Sequence, residues 1–243
     1  MFDKNNFRHL PPNIYYDSKL DLDQKICKYT CLFNLLMILT GKLYVSTKEC
    51  FSDKYESGLY YIPCIYDFTV EGDSRPNKLH EKGMSLRQSM TNSKHWLTTC
   101  WTKKTEEDFA LWKIFAPDPT SVRIKTTIKD LLGTLNAGMF TLYISAIHYT
   151  KKSNLIIHDI CDYAFSKYSF YNYEDEVRFY FLSNFQEEEK RPQYFDLRNN
   201  NFISEITLSP FFPRNSQIRL KEYLIKYHGI NENIIKTSDI NVY

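Results

Sequence analysis

Glu174, Glu176 and Arg178 stand at alternate positions in Lys167–Phe181, KYSFYNYEDEVRFYF, the stretch where the chain is densest in charge. From Asp175 the pattern has period two. Asp175, Val177, Phe179 and Phe181 fall on one face of an expected strand, and Glu174, Glu176, Arg178 and Tyr180 on the other. Two carboxylates two residues apart on a strand emerge on one side, roughly 6–7 Å apart. One can orient a ribose hydroxyl while the other steadies a developing oxocarbenium ion, as paired acids do in glycoside cleavage. The same residues also make an ordinary solvated ladder, with Arg178 pairing diagonally to acids of a neighbouring strand. Surface pairs of that kind contribute about 0–1 kcal/mol.

The elements that must position these residues follow from the pattern along the chain. Met1–Leu20 reads as an irregular N-terminal arm, and Asp21 or Asp23 as the cap of a helix running to about Leu39, with Gly41 beyond its end. Strands are expected at Leu43–Ser46, Leu59–Phe68, Trp96–Trp101, Ser121–Thr126, Phe140–Tyr149, Phe202–Ser209 and Ile234–Thr237. Helices are expected at Lys78–Met90, at Glu106–Phe115 after Thr105, after Thr127, within Leu155–Tyr168, and at Ser216–His228 with Gly229 as its C′ residue. Gln186–Arg191 reads as a charged loop. Neither a steady βαβ rhythm nor a repeat is present. The expected fold is therefore α+β, a single domain over residues 1–243 with a mixed, mainly antiparallel sheet flanked by helices.

Composition excludes several function classes. The 243 residues hold only seven glycines, and neither G-x-G-x-x-G nor G-x-x-x-x-G-K-[ST] occurs, so a nucleotide is not held by a standard Gly-rich loop. A formal net charge of +2 gives no support for non-specific nucleic-acid binding. The tyrosines and phenylalanines, with abundant Asn, Ile and Lys, fit AT-rich coding as readily as a stacking surface. The N-terminus lacks an apolar core for a secretory signal, and the Leu32–Leu39 run is far shorter than the ~20 residues that span a bilayer. Six scattered cysteines fit buried free thiols in a cytoplasmic setting, with Cys27 and Cys31 sharing one helix face. His148 and His158 lack a third ligand at metal spacing, so no metal is predicted.

Other residues have two readings each. Trp101 and Trp112 are core side chains or walls of a ligand pocket. Glu107 is an acid placed for the helix dipole or, beside two tryptophans and Lys113, part of that pocket. Lys167 is a solvated charge or a phosphate ligand. Cys100, on an apparent core strand with no histidine beside it in sequence, is a weak nucleophile candidate.

Three stretches together resemble the bacterial domain-of-unknown-function family 2971, from about Leu43 to Ile240. The first joins Thr98–Thr102, Glu107, Ala110–Lys113, Ser121–Thr127 and Leu131; the second is Lys167, Phe170, Glu174, Glu176, Val177 and Arg178; the third is Ile206–Pro210, a helix, and Thr237-Ser238. Phe115, Tyr168 and Arg123 depart from the family's pattern and mark altered substrate contacts or a lost activity. That resemblance implies a fold more than a reaction, and associates the chain with phage defence or toxin loci.

The E-x-E-V motif at Glu174–Val177 in addition resembles the acidic motif of ADP-ribosyltransferases, which use NAD without a Gly-rich loop. Such enzymes also need a Ser/Thr strand motif, offered by Thr126-Thr127 or Ser46-Thr47, and an arginine, offered by Arg8 or Arg87. The sequence thus sets two readings side by side. One is an enzyme acting on a nucleotide-type substrate, with NAD as that substrate, Glu174 and Glu176 catalytic, and Trp101, Glu107, Trp112, Thr126, Thr127, Lys167 and Arg178 binding. The other is a non-catalytic regulatory module meeting a protein or single-stranded nucleic acid through aromatic residues such as Tyr15, Tyr16, Tyr60 and Tyr61.

Overall fold

The computed structural model describes residues 7–10, 12–47, 96–151, 164–182, 193–240 and 242. The expected segments at Leu59–Phe68, Lys78–Met90 and Gln186–Arg191 lie outside these residues, as do Tyr60, Tyr61, Arg87 and His158.

The architecture is α+β, one mixed sheet of mostly antiparallel strands with helices packed on it. Its strands are β1 (Phe7–Leu10), β2 (Ile14–Asp17), β3 (Lys25–Thr30), β4 (Lys42–Thr47), β5 (Trp96–Thr102), β6 (Val122–Thr127) and β7 (Thr141–Ala146). A short pair, β8 (His148–Thr150) and β9 (Ser166–Tyr168), stands apart from it. The sheet continues with β10 (Glu176–Leu182), β11 (Gln193–Asp196), β12 (Glu205–Leu208) and β13 (Ile235–Thr237). The main order is β1-β2-β7-β10-β5-β3-β6-β12-β13, with β4 joining β5 and carrying β11 on its other side. Among the described residues only β2–β7 and β12–β13 pair in parallel within it. β10 therefore lies inside the sheet, bonded to β7 on one side and β5 on the other.

The two faces of the sheet differ. On one, Val177, Phe179 and Phe181 join Leu97, Val122, Ile124, Leu142, Ile144, Ile206 and Leu208 in a continuous core. That core is closed by Leu35 and Ile38 of α1 (Leu32–Leu39), Ile128 and Leu131 of α3 (Ile128–Thr134), and Leu220 and Leu224 of α4 (Arg214–His228). On the other face, α2 (Phe109–Phe115) packs Leu111 and Trp112 against Tyr29, whose ring meets Trp112 edge-on at 4.9 Å. The remainder of that face is polar and carries the candidate sites.

Several expectations are corrected. Residues expected to be an irregular arm form the β1–β2 hairpin, and β2 extends the sheet beside β7. The helix expected from Asp21 is strand β3 followed by a shorter helix. Ile26 and Tyr29 match a helical repeat, but β3 is buried between β5 and β6. Cys27 and Cys31 consequently share no helix face: Cys27 is buried in β3, and Cys31 is exposed at the N-cap of α1. The helix expected from Glu106 starts at Phe109, because Asp108 rather than Thr105 caps it, accepting from the amides of Ala110 and Leu111. Ser166–Tyr168, expected within a helical stretch, is a strand. Thr127 does cap α3, accepting from Asp130 N at 3.0 Å. Gly41 ends α1 at φ 84, and its carbonyl accepts from Leu197 N; a Cβ there would sit 3.3 Å from Leu197 O.

Candidate functional site

β10 does not begin at Glu174. Ser169–Glu174 is a 3₁₀ turn, and Asp175 follows in the left-handed region at φ 44. This kink, unusual for a residue other than glycine, brings the Glu174 side chain round to meet that of Glu176. The two carboxylates are not free neighbours on a flat strand. They converge on one ammonium: Lys167 Nζ lies 2.6 Å from Glu174 Oε2 and 2.8 Å from Glu176 Oε2. Arg178 closes the group, donating from Nε to Glu176 Oε1 at 2.8 Å, from Nη2 to Oε2 at 3.2 Å, and from Nη1 to the Ala164 carbonyl at 2.7 Å.

A solvated ladder is therefore the wrong description of these residues. Lys167, Glu174, Glu176 and Arg178 are 3%, 7%, 4% and 3% exposed. The reason is the layer above the polar face of β10. Ile147 N donates to the Glu176 carbonyl, His148 N to the Phe165 carbonyl, and β9 pairs with β8 so that Lys167 is lowered onto the strand. Tyr149 of β8 accepts from Glu176 N at 2.9 Å, and Thr102 Oγ1 donates to the Glu174 carbonyl at 2.6 Å. Lys167 is thus a buried cation rather than a solvated charge.

The electrostatics follow from the geometry. Burial alone would raise the Glu176 pKa. The Arg178 guanidinium, then Lys167, and a hydrogen bond from the Cys100 thiol override it and hold the carboxyl well below its usual range. Glu176 is a fixed negative charge, unsuited to giving up a proton, and both of its oxygens are engaged by Arg178 and Lys167. Burial pushes the Tyr149 phenol upward, so it remains a neutral hydroxyl. Lys28 donates to Thr99 Oγ1 and to the Cys100 carbonyl, each at 3.1 Å, and burial lowers its pKa. Among the described residues no group of three or more His, Cys, Asp or Glu side chains is placed to hold a metal ion.

The other residues expected at the site are distributed more widely. Trp101 pairs with Val177 in register and lies in the apolar core, on the opposite face from Glu176. Trp112, on α2, is fully buried against Tyr29, its Nε1 donating to Glu107 Oε1 at 3.0 Å. Glu107 is not a first-turn helix acid. It lies before the cap and also accepts from Ser238 Oγ at 2.6 Å and Asp239 N at 2.7 Å, which ties the C-terminal segment to α2. Thr126 is fully buried beside Ile26, and Thr127 spends its hydroxyl on Asp130. Ser46, by contrast, pairs with Thr98 in the row of Tyr180 on the polar face. Arg8 sits on the edge strand β1, opposite Tyr16.

Sequence reasoning missed Tyr149, whose only signal was a hydroxyl inside a strand-like run, and singled out Arg123 only as a departure from the family pattern. Lys28, from a run read as helix, lies on the core face beside Thr99 and Trp101. Arg123 is 3% exposed on β6 and, with Lys125, shares Glu205, at 3.7 and 2.9 Å respectively.

Comparison of the chain with protein-family models, with curated proteins and with solved structures finds no match. No described helix is long and apolar enough to cross a membrane.

Proposed function

We propose that this chain is an enzyme acting on a nucleotide-type substrate at the Lys167–Glu174–Glu176–Arg178 group, with NAD-dependent ADP-ribosyl transfer as the reaction. The observation that carries the reading is the burial of four charged side chains together, Glu176 and Arg178 on the interior strand β10 and Lys167 and Glu174 from β9 and the turn that lead into it. Removing ions from water costs several kcal/mol each, and well-packed apolar residues in such a place are often as stable or more so. A group retained against that cost suits a role beyond holding the sheet together.

In this reading Arg178 and Lys167 fix the Glu176 carboxylate in place and ionised. Glu176 then holds a ribose hydroxyl and faces the positive charge that grows on the sugar as its bond to nicotinamide breaks, the electron pair leaving with nicotinamide. Glu174, sharing Lys167, orients the same ribose. The acceptor nucleophile bonds to the sugar carbon and gives up its proton to solvent water. The family resemblance drawn from the sequence, with its association with phage defence or toxins, belongs to this proposal. Incubation with labelled NAD and a lysate tests it: label transfer by the native chain and its loss in Glu176→Gln support the reading, and equal background in both overturns it.

A second reading rests on a different observation. On the polar face Tyr15 stacks on Tyr143 at 5.2 Å and 19°, with His9 beyond it at 4.8 Å and Phe7 edge-on to Tyr143 at 6.0 Å. Such a run of rings suits a module that recognises a protein or single-stranded nucleic acid without catalysis. Partner binding retained after replacement of both glutamates distinguishes it.

A further inference from the structure

A second site is carried by the other half of the polar face. The segment after β5 crosses that face between the two halves: Lys103 N donates to the Asp175 carbonyl, and the Thr105 carbonyl accepts from Arg123 Nη2. Beyond it opens a cleft of about 590 Å³ whose floor is the outer part of the sheet. Strand register places Arg123, Thr207 and Lys236 side by side on β6, β12 and β13. Neighbouring strands lie about 4.8 Å apart, so the two cationic positions flank the threonine across roughly 10 Å.

The charges of the cleft sort into those already matched and those with capacity to spare. Glu205 is held by Lys125 at 2.9 Å and accepts from Thr207 Oγ1 at 3.3 Å. Glu107 is occupied by the Trp112 indole, the Ser238 hydroxyl and the Asp239 amide. Glu106 and Asp239 are exposed at the mouth. Arg123 is buried yet under-used. Its Nη2 serves the Thr105 carbonyl and Cys27 Sγ, its Nη1 reaches Glu205 only at 3.7 Å, and its Nε has no acceptor among the described residues. A guanidinium carries five N–H donors, and leaving them unmatched in a buried place is costly. Lys236 stands exposed on the far side of Thr207.

We propose that this cleft binds a small ligand through an oxyanion, a phosphate or carboxylate group received between Arg123 and Lys236 above Thr207. Two cations on either side of Thr207, across three adjacent strands, supply converging donors of the kind that such oxygens take up, and the Thr207 hydroxyl, which donates to Glu205 in the free chain, turns to the ligand on binding. The acids at the mouth favour a ligand whose remainder bears hydroxyl or amino groups. This site is separate from the buried glutamates and does not depend on the reaction proposed for them.

The test is a titration of the isotope-labelled full chain, followed by the amide signals of Thr207 and Lys236, with inorganic phosphate, adenosine monophosphate and acetate in separate arms. Saturable shifts at those amides are expected with at least one probe; acetate alone assigns the carboxylate source and the phosphate probes alone the phosphate source. Lys236→Glu, at an exposed position that leaves the remaining spectrum unchanged, is expected to weaken the binding about ten-fold or more. Thr207→Val gives a second, uncharged reading of the same place. Absence of saturation with all three probes, or binding unaltered in both variants, overturns the proposal.

Discussion

Arg178 clasps Glu176 two residues away on the same strand, Nε to Oε1 at 2.8 Å and Nη2 to Oε2 at 3.2 Å, with both side chains almost wholly removed from solvent. Breaking such a pair strands a charge. Arg178→Met is expected to destabilise the fold by about 3–5 kcal/mol. The double variant Arg178→Met/Glu176→Gln is expected to lose less than the two single changes summed. Urea unfolding of the three variants checks this; additive losses would show that the pair is not coupled.

Acid should weaken the same group. The folded Glu176 pKa lies below its ordinary value of 4.5, because Arg178 and Lys167 outweigh the opposing effect of burial. A depressed carboxylate stabilises the fold fully above its unfolded pKa, and that stability is lost as pH falls through the window beneath it. Asp108 is also depressed: burial opposes the shift, and Lys104 with two helix amides outweighs it. Stability should therefore decline as pH drops below about 4.5, and Glu176→Gln should flatten part of that decline. Denaturant midpoints measured across the acid range show whether it does.

Helix caps give a smaller and cleaner signal. Thr127 Oγ1 accepts from Asp130 N, and Asp108 Oδ1 accepts from Ala110 N at 2.8 Å and Leu111 N at 3.2 Å. Thr127→Ala and Asp108→Ala are each expected to cost about 0.5–2 kcal/mol. The Asp108 change should fall toward the upper end, since it also removes the partner of Lys104. Thermal unfolding of both variants reads the order.

Glu107 fastens the C-terminal segment to α2 through Trp112, Ser238 and Asp239. Glu107→Ala should leave the main sheet intact and raise amide hydrogen exchange locally, at Asp239 and Ile240, whose N–H groups donate to Glu107 and to Ser238 Oγ. Unchanged protection there would remove Glu107 from that role.

How much of this the sequence disclosed depended on whether the deciding physics was local. Thr127 and Gly229 could be read as helix punctuation, because capping and a left-handed C-cap are set within a few residues. The alternation in β6 and β10 told which side chains share a face. It did not tell that β8 and β9 cover one of those faces, since that contact joins residues distant in sequence. Glu174 and Glu176 were therefore legible as a pair, whereas the shared Lys167 and their burial were not. The aromatic-rich run before the acids reads as a turn leading into a strand, but the kink at Asp175 left no trace, and Glu174 was placed on the strand rather than at the end of that turn. β3 was mistaken for helix because a strand enclosed on both sides carries apolar residues without clean alternation.

The proposal that Glu176 acts on an NAD-type substrate is most directly tested by nicotinamide release from NAD, with the native chain and Glu176→Gln compared at matched fold, as judged by circular dichroism and gel filtration. The account predicts release by the native chain and a fall of about a hundred-fold or more in the variant, the scale lost with one electrostatic stabiliser of a transition state. Equal release by two folded proteins, or no release from either, would contradict it.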